Sequence, residues 1–397
     1  MSVRSYGVLS TYPPTQCGLA TFTDALVASL TSHENSYTPV DLVREPVREV
    51  STVGVVAVVD TPEQAPLPEV AHQWVRSARG GAIAAAAALN RYDVAIVQHE
   101  FGIFGGRDGA DVLETVRALR VPAIVVLHTV LATPTSRQRV ILEELARICA
   151  AVVTMTKTAG QRLIDHYTVD PTKIRLIPHG AADNRAGQPE DRHQPISRSP
   201  VILTWGLLGA GKGIEWGIDA MAQLADLRPA AQYRVVGQTH PRVLEQHGES
   251  YRTGLVERAR RRGVGNVVHF DARYLSSAEL YRLIRQADVV LLPYDSREQV
   301  TSGVLIEAVA AGKPVVSTAF PHAQELLSSG AGLLVERESP TAIATALRRI
   351  LTEPGLASRM GEEADRIAPE LLWSSVSRKY RALATETLQA DRKLATA

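Results

Sequence analysis

Apolar runs of five to eight residues alternate with helix-length amphipathic stretches along most of the chain. A parallel strand buried on both faces needs such a run, and its crossover helix needs the amphipathic stretch, so the pattern predicts βα units around parallel sheets. In the first half the strands fall at Tyr6–Ser10, Thr52–Val59, Val94–Gln98, Ala123–His128, Ala151–Met155 and Ile174–Ile177, with helices such as Thr21–Thr31 and Arg137–Cys149 between them. The second half repeats the logic. Its strands fall at Val201–Trp205, Gln232–Val236, Val267–Phe270, Val289–Leu292 and Pro314–Ser317, with helices such as Ile214–Leu227 and Ala278–Arg285. The alanine run at 84–88 fits a small-residue helix face.

The alternation stops between Gly180 and Pro200, where Gly, Pro, Asp, Arg and Ser crowd together without periodicity, and that is linker composition. A chain of 397 residues has the length of two domains, each able to bury a core. The expected plan is a domain over 1–180, a linker over 181–199, a second domain over 200–372, and a last helix from Trp373 to about Leu388 within 373–397. The fold class is α/β, with two doubly wound parallel sheets and a ligand expected in the cleft between them.

With 45% hydrophobic and 21% charged residues, the disordered and collagen-like classes drop out. Forty-three basic residues against 42 acidic, and 16 against 17 within 1–180, give no reason to expect nucleic acid or an anionic membrane surface as a partner. Only six of the basic residues are lysine, which reflects genome composition rather than function. Cys17 and Cys149 have no metal-ligand spacing, and no apolar stretch reaches the ~18 residues of a membrane span. The sequence therefore predicts a cytoplasmic protein with no signal peptide, transmembrane segment or metal site.

Three segments carry candidate chemistry. Thr204 to Ile214 reads as a strand running through a glycine-rich turn, with Gly206, Gly209, Gly211 and Gly213, into a helix. Its amides, helix dipole and Lys212 would suit a phosphate, and a purely structural turn accounts for the glycines equally well. It is not a P-loop, because Gly213 stands where Ser or Thr must follow the lysine. In Gln299 to Ala308, Ser302-Gly303 opens a helix with Val304 and Leu305 in its first turn, and Glu307 follows. That suits a diphosphate at the amides and a ribose diol at the carboxylate, or simply a capped helix with a solvated glutamate. In Gln98 to Gly106, His99, Glu100 and Gly105 follow a first-domain strand, where hydroxyl binding or proton transfer and a buried histidine are both open readings. The motif is not HExxH, because no second histidine follows. Gly237-Gln238-Thr239-His240-Pro241 follows another strand as a loop without an assigned duty, and His322 is placed to approach a ligand.

Taken together with Ala311-Gly312-Lys313-Pro314, the loop Gln16 to Phe22, Ile177-Pro178-His179-Gly180 and the helix at Trp373, these segments make the chain resemble family 4 of the retaining glycosyltransferases, over essentially its whole length. The resemblance implies the GT-B fold, with two Rossmann-like domains, an acceptor-side first domain, a nucleotide-sugar donor domain second and a last helix that crosses back. It implies a hexosyltransferase-type enzyme of bacterial carbohydrate biosynthesis that takes a nucleotide-diphosphate sugar as co-substrate, needs no other cofactor, and passes the sugar to a small sugar, glycan or other hydroxyl. It also implies that Gly18 faces the donor diphosphate and Lys212 neutralises it, with Gly206 and Gly211 in the same turn. Ser302 and the amides of Gly303, Val304 and Leu305 would face phosphate and sugar, Glu307 the ribose, and His128 the reacting sugar beside the acceptor.

Two positions depart from the family pattern. Leu207 stands where the family usually has arginine, and Gln299 replaces the first glutamate of Glu-x7-Glu, although its amide still offers a donor and an acceptor. Two alternatives follow: a disaccharide phosphorylase on the same fold that uses inorganic phosphate, and a catalytically silent sugar-binding protein.

Overall fold

The computed structural model describes residues 3–32, 51–76, 78–185 and 198–396, so most of the expected linker, 186–197, lies outside the described residues. The chain divides into two compact units, Met1–Gly180 with Trp373–Ala397, and Ala181–Leu372.

In the first unit, β1 (Ser5–Ser10), β2 (Thr52–Val59), β3 (Val70–Val75), β4 (Val94–His99), β5 (Ala123–Leu127), β6 (Ala151–Thr154) and β7 (Ile174–Leu176) pair in parallel in the order β3-β2-β1-β4-β5-β6-β7. In the second, β8 (Val201–Trp205), β9 (Gln232–Val236), β10 (Val268–Asp271), β11 (Val289–Leu292), β12 (Val315–Thr318) and β13 (Gly332–Val335) pair in parallel in the order β10-β9-β8-β11-β12-β13. Each order reverses beside its first strand, between β1 and β4 and between β8 and β11. The crevice that doubly wound sheets offer to ligands opens at that reversal, beyond the carboxyl ends of the strands.

Both faces of each sheet are covered, which is why the strands read as continuous apolar runs. In the second unit Ile202, Tyr233, Val235, Val289 and Leu291 join one core, while their neighbours Leu203, Trp205, Val236, Val290 and Leu292 join another on the opposite face. In the first unit Tyr6, Val8, Val55, Ile96, Ile124 and Val126 pack with Val376, Tyr380 and Leu383 of the last helix. That helix is longer than expected, Trp373–Thr396. Arg381 holds it to the helix Gly18–Thr31 by donating to the carbonyls of Ser29 and Leu30 at 2.8 and 3.2 Å, where the carbonyl end of a helix attracts a cation.

Two strands were not expected. β3 carries polar His72 and Gln73 and is half-exposed at a sheet edge, so it lacks an apolar run; β13 has only four residues, of which Leu334 is 42% exposed.

Candidate active-site residues

In the second unit the glycine-rich turn leaves β8 clamped between its neighbours' loops. Leu208 N donates to Gln238 O at 2.9 Å and His240 N to Leu208 O at 2.8 Å, which zips the turn to the loop after β9. On its other side Asp295 N donates to Gly211 O at 3.0 Å. Gly206, Gly211 and Gly213 have φ of 116, 85 and 61°, and a Cβ on Gly213 would overlap the carbonyl of Pro293, so backbone geometry alone requires glycine there. Lys212 extends over the ring of Tyr294, with Nζ 4.3 Å from the centroid.

The helix Gly303–Ala310 begins after the loop that leaves β11. Ser302 caps it, its Oγ accepting from Leu305 N at 3.3 Å, while Ser302 N donates to Nδ1 of buried His322 at 2.8 Å. Two expectations are corrected here. Leu305 is wholly buried with its amide already taken by Ser302, so of the three expected amides only those of Gly303 and Val304 stay available; and His322 pins the start of the helix instead of approaching a ligand. Gln299 also turns inward, donating Nε2 to Thr301 O at 3.0 Å.

Glu307 lies further along that helix, half-buried, and Trp205 at the end of β8 donates Nε1–H to its Oε2 at 3.1 Å. Burial pushes the carboxyl up to about 7, and the indole bond works against that rise. One oxygen is thus held and the other has no hydrogen-bond partner among the described residues. No sequence signal marked Trp205, because its partner is 102 positions away.

In the first unit Gly18 is the first residue of its helix and is exposed, and a Cβ there would meet nothing within 4 Å. Local packing therefore does not require glycine. Cys17 caps the helix, its thiol accepting from Ala20 N at 3.4 Å. His128 follows β5 directly, half-buried, with Nε2 2.8 Å from Gln98 Oε1 and its ring edge-on to Phe22 at 4.8 Å. Burial and the neighbouring His179 and His99 hold it neutral, with a pKa well below the usual value. Glu100 accepts from Phe101 N at 3.1 Å and from Thr129 Oγ1 at 2.5 Å, which sets a carboxylate beside His128 at the ends of β4 and β5.

His99 does not reach an acceptor, and Gly105 is required by its own turn. His99 is fully buried against Phe101 and Phe104, with neither ring nitrogen hydrogen-bonded among the described residues, and desolvation drives its pKa down to about 3. At Gly105 a Cβ would press on the Asp111 carboxylate and the Arg76 carbonyl, so this glycine serves a tight turn. Among the described residues no group of three or more His, Cys, Asp or Glu is placed to hold a metal ion, and no helix is long and apolar enough to cross a membrane.

Residues 18–185 match the model of Glycosyltransferase Family 4 and residues 188–366 that of glycosyl transferases group 1. The D-inositol 3-phosphate glycosyltransferase of Corynebacterium glutamicum is 29% identical over 290 residues, covering 68% of this chain and 68% of that protein. Among solved structures, Anabaena HepE in complex with UDP and glucose superposes with a TM-score of 0.73 at 16% identity, covering 96% of this chain and 99% of that one. Sucrose-phosphate synthase from Thermosynechococcus elongatus superposes with a TM-score of 0.69 at 18% identity, covering 98% and 100%. Two parallel-sheet Rossmann-like units and two family models that meet near residue 186 leave one conclusion: the chain is a sugar-transferring enzyme that belongs to the family 4 glycosyltransferases of the GT-B fold.

Proposed function

We propose that the enzyme moves a sugar from a nucleoside diphosphate sugar to an acceptor hydroxyl, with retention at the anomeric carbon and without a divalent metal ion. The observation that carries this reading is the position of Lys212 and Glu307 on the two segments that leave β8 and β11, the pair of strands at which the second sheet reverses. Lys212 neutralises the charge that builds on the departing diphosphate, and the amides of Gly303 and Val304, at a helix start, add the positive potential a metal would otherwise supply. Glu307 accepts from the ribose diol with the oxygen that Trp205 leaves uncommitted.

In the reaction the bond from the anomeric carbon to the diphosphate oxygen breaks, and the acceptor oxygen bonds to that carbon from the same face. The acceptor proton passes to the departing phosphate oxygen. We assign acceptor recognition to the first unit, at the ends of β4 and β5, where Glu100 and His128 stand. The UDP and glucose named with the Anabaena structure support a nucleotide-sugar donor, and the name of the Corynebacterium relative supports glycosyl transfer.

The test is a calorimetric or thermal-shift titration with UDP, GDP, ADP and inorganic phosphate, since a ligand that binds only the folded state raises its stability. Binding of one nucleoside diphosphate that survives EDTA and is lost in Lys212→Ala is the expected result. Stabilisation by phosphate and a sugar with no nucleotide bound overturns it in favour of phosphorolysis, and nucleotide binding with no donor ever turned over leaves a silent sugar-binding protein.

A further inference from the structure

The sheet order places the loop after β9 against the glycine-rich turn after β8, a turn in which Lys212 is the one charged side chain. Leu208 and Thr239 form a parallel bridge, Thr239 is buried, and Arg252 donates Nη2 to Gly237 O at 2.8 Å, so the loop is anchored from both sides. A Cβ on Gly237 would overlap the carbonyl of Gly206, a measure of how closely the two backbones run. His240 ends this loop. Its backbone N–H is spent on Leu208 O, and its Nδ1 accepts from Arg242 N at 3.2 Å as a helix cap. A ring whose Nδ1 accepts carries its proton on Nε2, and that nitrogen is solvent-accessible with no protein partner among the described residues.

We propose that His240 is a second group on the donor's diphosphate, its Nε2–H acting with Lys212 Nζ where the glycine-rich turn itself offers only Leu207. The proposal rests on the donor reading above. The backbone brings the two residues to one turn, since His240 N donates to Leu208 O at 2.8 Å and Lys212 N to Gly209 O, the next carbonyl, at 3.2 Å. Burial lowers the pKa of His240 first, and the charges of Arg242 and Lys212 lower it further, with Glu245 opposing them. These three charged groups act on the ring, two from its own helix and one from the turn. The free ring is therefore neutral near pH 7 and donates one hydrogen bond. Against a bound diphosphate it is offset by negative charge, so it takes up a proton more readily as the pH falls.

The variant that isolates this role is His240→Asn, because asparagine retains an oxygen to cap Arg242 N but is too short to replace Nε2–H. Its melting temperature is expected to match wild type, while its Kd for UDP, or for whichever nucleoside diphosphate the wild type binds, rises about tenfold at pH 7. The ratio of variant to wild-type Kd is expected to widen as the pH falls from 8 to 6, since only the wild type gains a cation there. A ratio that stays constant across pH assigns His240 to holding the turn and overturns the proposal, as does unchanged affinity. If His240→Asn binds normally while Lys212→Ala does not, only this inference falls. If wild-type protein binds no nucleoside diphosphate, the donor reading falls with it.

Discussion

The two units use the same sheet plan and build opposite kinds of site on it. In the second unit the candidate site is built from backbone and charge: positive-φ glycines, amides at a helix start, Lys212 on Tyr294 and Glu307 on Trp205. In the first the candidate site is built from packed rings, with buried Phe22 edge-on to half-buried His128 and His179 at 4.8 and 4.9 Å and to Trp373 at 5.0 Å. A site made of backbone geometry and fixed charge suits a ligand that is always an anion, whereas histidines held neutral by burial suit an uncharged hydroxyl. The contrast between the two sites therefore lies in their dielectric as much as in their residues.

The comparison breaks most directly at Lys212. Lys212→Ala is expected to lower turnover by about 10²–10³, the usual cost of losing one group that stabilises transition-state charge, with the circular dichroism spectrum unchanged. Wild-type turnover in this variant would remove the charge-based half of the contrast. A pair of glycine substitutions separates ligand space from fold. Gly213→Ala forces a Cβ onto the Pro293 carbonyl at positive φ and is expected to destabilise the second unit by about 1–3 kcal/mol in denaturant titrations. Gly18→Ala, with nothing within 4 Å of its Cβ, is expected to melt like wild type and to weaken donor binding. The opposite pattern would make Gly18 structural.

Glu307 sharpens the contrast through pH. Its folded pKa of about 7 lies above the ordinary carboxyl value, so between the two the folded state holds a proton that the unfolded state has lost. Stability from this group is full below the unfolded value and declines as the pH rises through 7, while the ribose binding proposed for its carboxylate is expected to strengthen over the same rise. Glu307→Gln is thus expected to melt higher than wild type at pH 8 and to bind nucleotide more weakly there. A lower melting point would mean that the Trp205 bond outweighs the desolvation of the carboxylate.

Much of this plan was readable from the chain alone, for reasons that differ by region. Strands buried on both faces announce themselves as apolar runs, so the strands nearest the sheet reversals, β1, β4, β8 and β11, were found, while the half-polar edge strand β3 and the four-residue β13 were not. Lys212 and Glu307 stood out because a glycine-rich turn and a helix start are local patterns. Their supports did not: Trp205 under Glu307, Gln98 on His128 and His322 on Ser302 join residues 102, 30 and 20 positions apart, and no local pattern encodes such a pair. His99 shows the converse, since its motif leaves chemistry and burial equally open and only the fold, with Phe101 and Phe104 around the ring, decides for burial.

His99 also supplies the smallest and most discriminating test of the histidine half of the contrast. Its folded pKa of about 3 lies below the unfolded value near 6.5, so the unfolded chain binds the extra proton between them. The stability this group contributes is present above about 6.5 and is lost as the pH falls toward 3, at no more than about 1.4 kcal/mol per pH unit. His99→Leu should keep its turnover within about twofold, because the ring reaches no surface, and should melt at least as high as wild type at pH 7, because two buried nitrogens without partners are removed. Its melting temperature should also fall less between pH 7 and 5, with the remaining slope carried by His128 and His179, whose pKa values burial lowers in the same sense. A large loss of turnover at unchanged stability would return His99 to the acceptor site and erase the distinction between rings that pack and rings that meet the substrate.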